Sequence, residues 1–133
     1  MADESERPVA AAVVVHKGRL LLVRRRIAEG QLSWQFPAGK VEPEESREAA
    51  AVREAQEETG LQVIARELLG ERVHPATGRL VSYTACDVLS GTAHVAAERE
   101  VAEIAWVTRG QISAYVPHGL FGPVEAYLDG VLG

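Results

Sequence analysis

A chain of 133 residues, 47% hydrophobic and 25% charged, has the size and make-up of one globular domain with a single core. Its formal charge of −5 argues against a nucleic-acid polymer as partner, because binding there rests on a basic stripe and counterion release, and leaves small polyanions open if a metal or a local Arg cluster accepts them. Cys86 is the only cysteine, which rules out an intrachain disulfide.

Met1 to Arg7 is acidic and polar, without the basic start of a secretory signal, and no apolar run approaches the roughly 20 residues that cross a membrane. The expectation is a cytoplasmic protein with no membrane partner, residues 1–7 as a flexible arm and 8–133 as one domain. Val9 to His16 and Arg19 to Arg25 read as a hairpin turned at Lys17-Gly18. Their near-continuous apolar character predicts burial on both faces. Ile27 to Ser33 reads as a polar loop around Gly30, and Trp34-Gln35-Phe36 as a short strand broken by Pro37.

Next comes Gly39 to Leu61, a glycine-hinged loop entering a helix. Ser46 suits the N-cap, Arg47 to Thr59 contains no Gly or Pro, and Gly60 suits the C′ position. At about 100° per residue, Glu54, Glu57 and Glu58 fall on one side and Ala49, Val52 and Ala55 on the other. Glu54 stands i,i+3 and i,i+4 to the other two acids, where like charges repel. Either the stripe is a solvated charged face, or a hard divalent cation offsets it through carboxylate and carbonyl oxygen.

Leu61 to Val73 is a strand with an irregularity near Gly70. It turns at His74 to Gly78 and pairs with Leu80 to Val88. Glu98 to Glu103 is an acidic connection to a short strand, Ile104 to Val107. Thr108 caps a helix over Arg109 to Tyr115, and Pro123 starts a last helix that Gly130 ends. This order predicts an α/β fold, a mixed sheet between helices in an α/β/α sandwich.

The run Gly39, Glu45, Arg53-Glu54-Ala55, Glu57-Glu58, Gly60-Leu61 resembles the complete signature of the Nudix hydrolases, MutT-like enzymes included. One departure is Ala38, where many members carry a second Gly. The resemblance implies Mg²⁺-dependent hydrolysis, with Mn²⁺ able to substitute, of a nucleoside diphosphate linked to another moiety. By position it implies Glu57 and Glu58 as main metal ligands, Glu54 as a further ligand or the base, and the Gly39 carbonyl as an additional ligand. Arg53 would orient Glu57 and tie the loop to the helix, and Glu45 would support the loop. Family members also recruit a Glu before the last strand, which makes Glu100 and Glu103, ahead of Glu98, candidate bases.

Other residues carry two readings. Arg24, Arg25 and Arg26 either meet substrate phosphates, Arg24 and Arg26 being the chosen pair, or end a solvated strand. Trp34 and Phe36 share one face, for core packing or base stacking, and Tyr83 is read the same way. Lys40 completes the substrate-binding set. The four His residues show no metal-ligand spacing.

The expected substrate is a small nucleotide and the expected state a monomer or homodimer. A nucleoside triphosphate, oxidised or not, comes first, cleaved to monophosphate and pyrophosphate. The chain has no Asn of the kind resembling enzymes use to read an oxidised purine, and Asp129 or Gln111 would have to substitute. ADP-ribose or another nucleotide sugar is the alternative, favoured by Pro75. A nucleotide-binding sensor without catalysis is the alternative from another class, although none of the signature Glu and Arg positions is altered.

Overall fold

The computed structural model describes residues 7–29 and 32–132. Strand β1 (Val9–His16) shows why the chain layers as it does. Alternate residues reach opposite faces: Ala11 and Val13 join one apolar cluster, while Ala10, Ala12 and Val14 join another. Small and β-branched side chains at every position let both layers close on this strand.

Lys17 (φ 52°) and Gly18 (φ 75°) turn the chain into β2 (Arg19–Glu29), with Val15 opposite Leu20. Two successive positive φ values match the twist of a two-residue hairpin. Leu20 and Leu22 enter the first cluster and Leu21 the second. Each of these fully buried leucines contributes about 1.5–3 kcal/mol.

The chain continues through β3 (Leu32–Gln35), β4 (Ala38–Lys40), α1 (Arg47–Thr59), β5 (Gln62–Val73), β6 (Leu80–Ser90) and β7 (Val101–Val107). A 3₁₀ turn at Arg109–Gln111, then α2 (Ile112–Tyr115) and α3 (Gly122–Leu132), complete it. The seven strands form one mixed sheet in the order β3-β2-β1-β6-β5, with β4 on β1 and β7 on β2. Only β1 and β6 run parallel among these pairs. Helix α1 covers one face and α2 with α3 the other, which is the predicted sandwich.

Several boundaries differ from expectation. Strand β2 runs on to Glu29 and β3 begins at Leu32, so most of the predicted loop 27–33 is strand. A strand β4 forms where a loop was read, because β1 pairs with β2 only at its far end and offers Val9 to Ala11 to Lys40, Gly39 and Ala38. Strand β7 starts at Val101, which places Glu103 within the sheet opposite Arg24. The predicted helix 109–115 divides into a 3₁₀ turn and one α-turn. Helix α3 passes through Gly130, which does not adopt the left-handed conformation that would end it.

The irregularity at Gly70 is present as a register shift between Leu68 and Gly70. The expectation for residues 1–6 lies outside the described residues. Arg7 and Pro8 are bonded to the body: the Arg7 carbonyl accepts from Arg79 and the Pro8 carbonyl from the Val41 N–H. No helix among the described residues is long and apolar enough to cross a membrane.

Gly60 ends α1 at φ 75°, and an added Cβ there would stand 2.2 Å from the His94 ring, whereas at Gly18, also φ 75°, it would meet nothing within 4 Å. Gly18→Ala is therefore expected to cost about 1–2 kcal/mol in urea unfolding, the left-handed backbone penalty alone. Gly60→Ala should cost clearly more, and equal losses would show that His94 moves aside freely.

Candidate active site

Helix α1 begins where Ser46 Oγ accepts the Ala49 N–H at 3.0 Å. Its last carbonyls are taken by a strap after β6: His94 N–H donates to Thr59 O and Ala96 N–H to Glu58 O. The buried residues lie in two i,i+4 rows, Ala50-Glu54-Glu58 and Ala51-Ala55-Thr59. This corrects the expected apolar stripe. Ala49 is exposed and Val52 half-buried, because the helix turns Glu54 and Glu58 inward and leaves Glu57 outside.

Small residues make that rotation feasible. An added Cβ at Gly39 would fall 2.3 Å from the Glu54 carboxyl carbon, so the glycine of β4 leaves the space that this carboxylate fills. Glu54 is 7% exposed and Glu58 0%. Burial raises the carboxyls of both above the ordinary carboxylate range, that of Glu58 to about 8, and the charge of Glu54 adds to the rise at Glu58.

Two arginines offset the charge. Arg25 donates from Nη1 to Glu58 Oε2 at 3.2 Å and from Nη2 to Ala38 O at 2.7 Å. Arg53 grips Glu45 with both arms of its fork at 2.9 Å and also donates to Lys40 O at 3.0 Å. Its Nη1 reaches Glu54 Oε1 at 2.7 Å and Glu57 Oε2 at 3.3 Å. The hydrogen bond to Arg53 holds the Glu45 carboxyl below its ordinary value, and the bonds to Glu45 and Glu54 raise that of Arg53. Glu45 in turn accepts the Glu42 N–H at 3.0 Å, closing the loop before the helix.

Glu58 Oε1 is buried with no hydrogen-bond partner. Buried polar atoms are seldom left so. Two buried carboxyls one helical turn apart and an unsatisfied oxygen form a set of hard donors that fits a divalent cation. Among the described residues, no three acidic, His or Cys side chains stand together as a ready metal cluster. Glu57, turned toward Arg53, is the member that lies apart.

On the other side of β4 opens a cleft of about 830 Å³. Arg25, Gly39, Lys40 and Glu100 line one part, and Trp34, Phe36 and Tyr83 line its wall. These aromatics also pack among themselves and on the helices: Trp34 meets Tyr115 edge-on at 4.9 Å, and Phe36 meets Tyr83 at 6.0 Å. Packing and exposure to the cleft thus coincide.

The structure separates the predicted arginines. Arg24 pairs with Glu103 at 2.6 Å and Arg26 donates to Glu98 O at 2.7 Å, and neither lines the cleft. Arg25 is the one brought to the centre. The register of β2 against β7 shifts between Arg24 and Arg25, a detail no periodicity announces. Arg72 and Phe121 also line the cleft and were not singled out; their distance in sequence from the Gly39–Leu61 stretch gave no signal.

A family model described as the NUDIX domain matches residues 6–124. The chain is 36% identical over 74 residues to the CTP pyrophosphohydrolase of Escherichia coli (strain K12), a match covering 55% of each. It is 31% identical over 105 residues to a MutT-like protein of Streptomyces ambofaciens, covering 79% of this chain and 65% of that one. The matches thus span less than two thirds of either relative. An 8-oxo-dGTP diphosphatase of Proteus vulgaris is 32% identical over 84 residues, 62% of this chain and 75% of that protein. Among solved structures, a NUDIX hydrolase from Nitrosomonas europaea superposes with a TM-score of 0.74 at 26% identity, covering 94% of this chain and 90% of that one.

A cation bound only by the folded chain stabilises it by about 2.7 kcal/mol at a hundredfold excess over its Kd. Thermal melts should rise by several degrees with Mg²⁺ or Mn²⁺ and not with NaCl of matched ionic strength. Glu57→Gln should respond much less. A full response in that variant, or an equal effect of NaCl, would remove Glu57 from the cation site.

Proposed function

The chain belongs to the NUDIX family, and on that premise we propose that it hydrolyses a phosphoric anhydride bond in a small nucleoside polyphosphate with the help of a divalent cation. The observation that carries this reading is the buried Glu54–Glu58 pair, with its unpartnered Oε1, beside a cleft that presents Arg25 and Lys40. Glu54, Glu57, Glu58 and the Gly39 carbonyl would hold the cation, Mg²⁺ being the expected one and Mn²⁺ its substitute. When bound, such an ion neutralises charge on the nonbridging and leaving oxygens and makes the attacking water more acidic.

The chain's own groups do the rest. Arg53 keeps Glu54 and Glu57 turned toward the loop, and Glu45 keeps Arg53 in place. Arg25 and Lys40 face the phosphates, while Trp34, Phe36 and Tyr83 support the nucleoside. Glu100, in the cleft wall, accepts the proton of the attacking water. Glu103 is engaged by Arg24 and holds β7 to β2. Water adds to one phosphorus and the bond to the leaving phosphate breaks, giving monophosphate and pyrophosphate from a triphosphate. Triphosphates come first because two of the relatives reported above bear the names of a CTP and an 8-oxo-dGTP enzyme.

The test is a panel of nucleoside triphosphates, oxidised dGTP, ADP-ribose and nucleotide sugars, with phosphate, pyrophosphate and monophosphate measured separately. Wild type should release pyrophosphate from triphosphates only when Mg²⁺ or Mn²⁺ is present. Glu57→Gln and Glu58→Gln should each lower kcat by about 10²-fold or more. Nucleotide binding with no turnover of any member would favour the sensor reading instead.

The two acids outside the helix separate by pH. Glu100→Gln should flatten the acid limb of the kcat profile with KM nearly unchanged, and Glu103→Gln should leave that limb in place. The reverse pattern would transfer the base to Glu103.

A further inference from the structure

The cleft has a second pole. Lys40, Val9, Val81 and Arg72 are successive cross-strand partners on β4, β1, β6 and β5. All four line the cleft, so they share one face of the sheet. Three strand spacings of about 4.8 Å place Arg72 roughly 14 Å from Lys40. That is far enough for the polyphosphate to lie at one pole and the base of the same nucleotide at the other.

Arg72 is held in a defined posture. Its guanidinium carbon lies 5.1 Å from the centre of the Phe121 ring and 5.8 Å from that of Tyr83. Its Nε donates to the Tyr83 hydroxyl at 3.2 Å. Phe121 can stand there because Gly70, opposite Tyr83 in the sheet, has no side chain: an added Cβ would come 3.1 Å from the Phe121 ring. With Nε engaged, the Nη1–Nη2 end is the fork that remains for a ligand, aligned along an aromatic wall.

The surrounding chemistry favours acceptors over donors. Of the described residues lining the cleft, Glu100 is the only acid, and its backbone is bonded to Arg26, on the Arg25 side. An amino-bearing edge such as that of adenine or cytosine would meet cations here. The O6 and N7 acceptors of guanine match an arginine fork in its own plane.

We infer that Arg72 is the residue that determines base specificity, selecting guanine through its O6 and N7. Oxidation to 8-oxoguanine places a hydrogen on N7 and spoils the second contact, so the unoxidised base is the preferred one. This rests on the proposed nucleotide hydrolysis for the orientation of the ligand, with phosphates at Lys40.

The experiment compares wild type, Arg72→Lys and Arg72→Gln in two measurements. Equilibrium binding of GMP, 8-oxo-GMP, AMP and CMP is followed by calorimetry, and kcat/KM is followed for the corresponding triphosphates. In wild type, guanine should exceed adenine, cytosine and 8-oxoguanine by about 10-fold or more, as expected for a bidentate contact. Both variants should lose that preference through a higher Kd and KM for guanine, with adenine nearly unchanged. Arg72→Lys keeps the charge and loses the fork, so retention of the guanine preference by this variant would overturn the inference. So would an equal loss for every base, which is the mark of a merely structural arginine, or 8-oxo-GMP binding as tightly as GMP. If no triphosphate is turned over and GMP still binds in an Arg72-dependent way, the hydrolytic reading fails and base selection stands.

Discussion

Two carboxylates on the inner face of one helix are the constraint that shapes this molecule. Burying an ionised carboxyl is costly unless charge and hydrogen bonds are supplied. Around Glu54 and Glu58 the chain supplies Arg25 from β2, Arg53 from the helix itself, and a glycine in β4 where any side chain would collide. The supply is incomplete, since one Glu58 oxygen has no partner. A protein selected for stability alone would place alanine or leucine at such positions. The incomplete balance fits the cation proposed for this site, at the expense of the ligand-free fold.

Arg53 extends that constraint outward. One guanidinium joins the loop carboxylate Glu45, the Lys40 carbonyl of β4 and two helix acids. Strand, loop and helix are thereby held as one unit, and a shift in any of them moves the others. The end of the helix is tied similarly. The strap that takes the Thr59 and Glu58 carbonyls continues into Glu98 and Glu100, whose carbonyls bind Arg26 of β2. The rim of the cleft and the acidic helix are thus linked through backbone hydrogen bonds.

The sheet keeps two tasks apart. Its α1 face carries the acids, and its opposite face carries the aromatic and basic wall of the cleft. They communicate where β2 leaves β1 and β4 takes over that edge. Arg25 stands at this junction, bonded to Glu58 on one side and lining the cleft on the other. Cross-strand register then sets the distance between the poles of the cleft, because sheet spacing is nearly invariant.

The sequence by itself determined the elements that depend on neighbours in the chain. Ser46 and Gly60 mark the ends of α1 because a cap acts within one turn, and Lys17-Gly18 marks the hairpin because only a few residues tolerate positive φ. The unbroken apolar runs of β1 and β2 announced a sheet covered on both faces, and the spacing of Arg53, Glu54, Glu57 and Glu58 announced a charged cluster along one helix. The tertiary structure decided what depends on partners far away in the chain. Helical periodicity places Glu54, Glu57 and Glu58 on one side, but only packing against β4 sets the phase that sends Glu54 and Glu58 inward and Glu57 outward. Among three consecutive arginines, strand parity and a register shift choose Arg25, and neither can be read from three identical letters. Arg72 and Phe121, 49 positions apart in the sequence, come together because a bulge at Gly70 makes room for a ring. Local chemistry writes itself into adjacent residues, whereas register, phase and clearance arise only when separate segments meet.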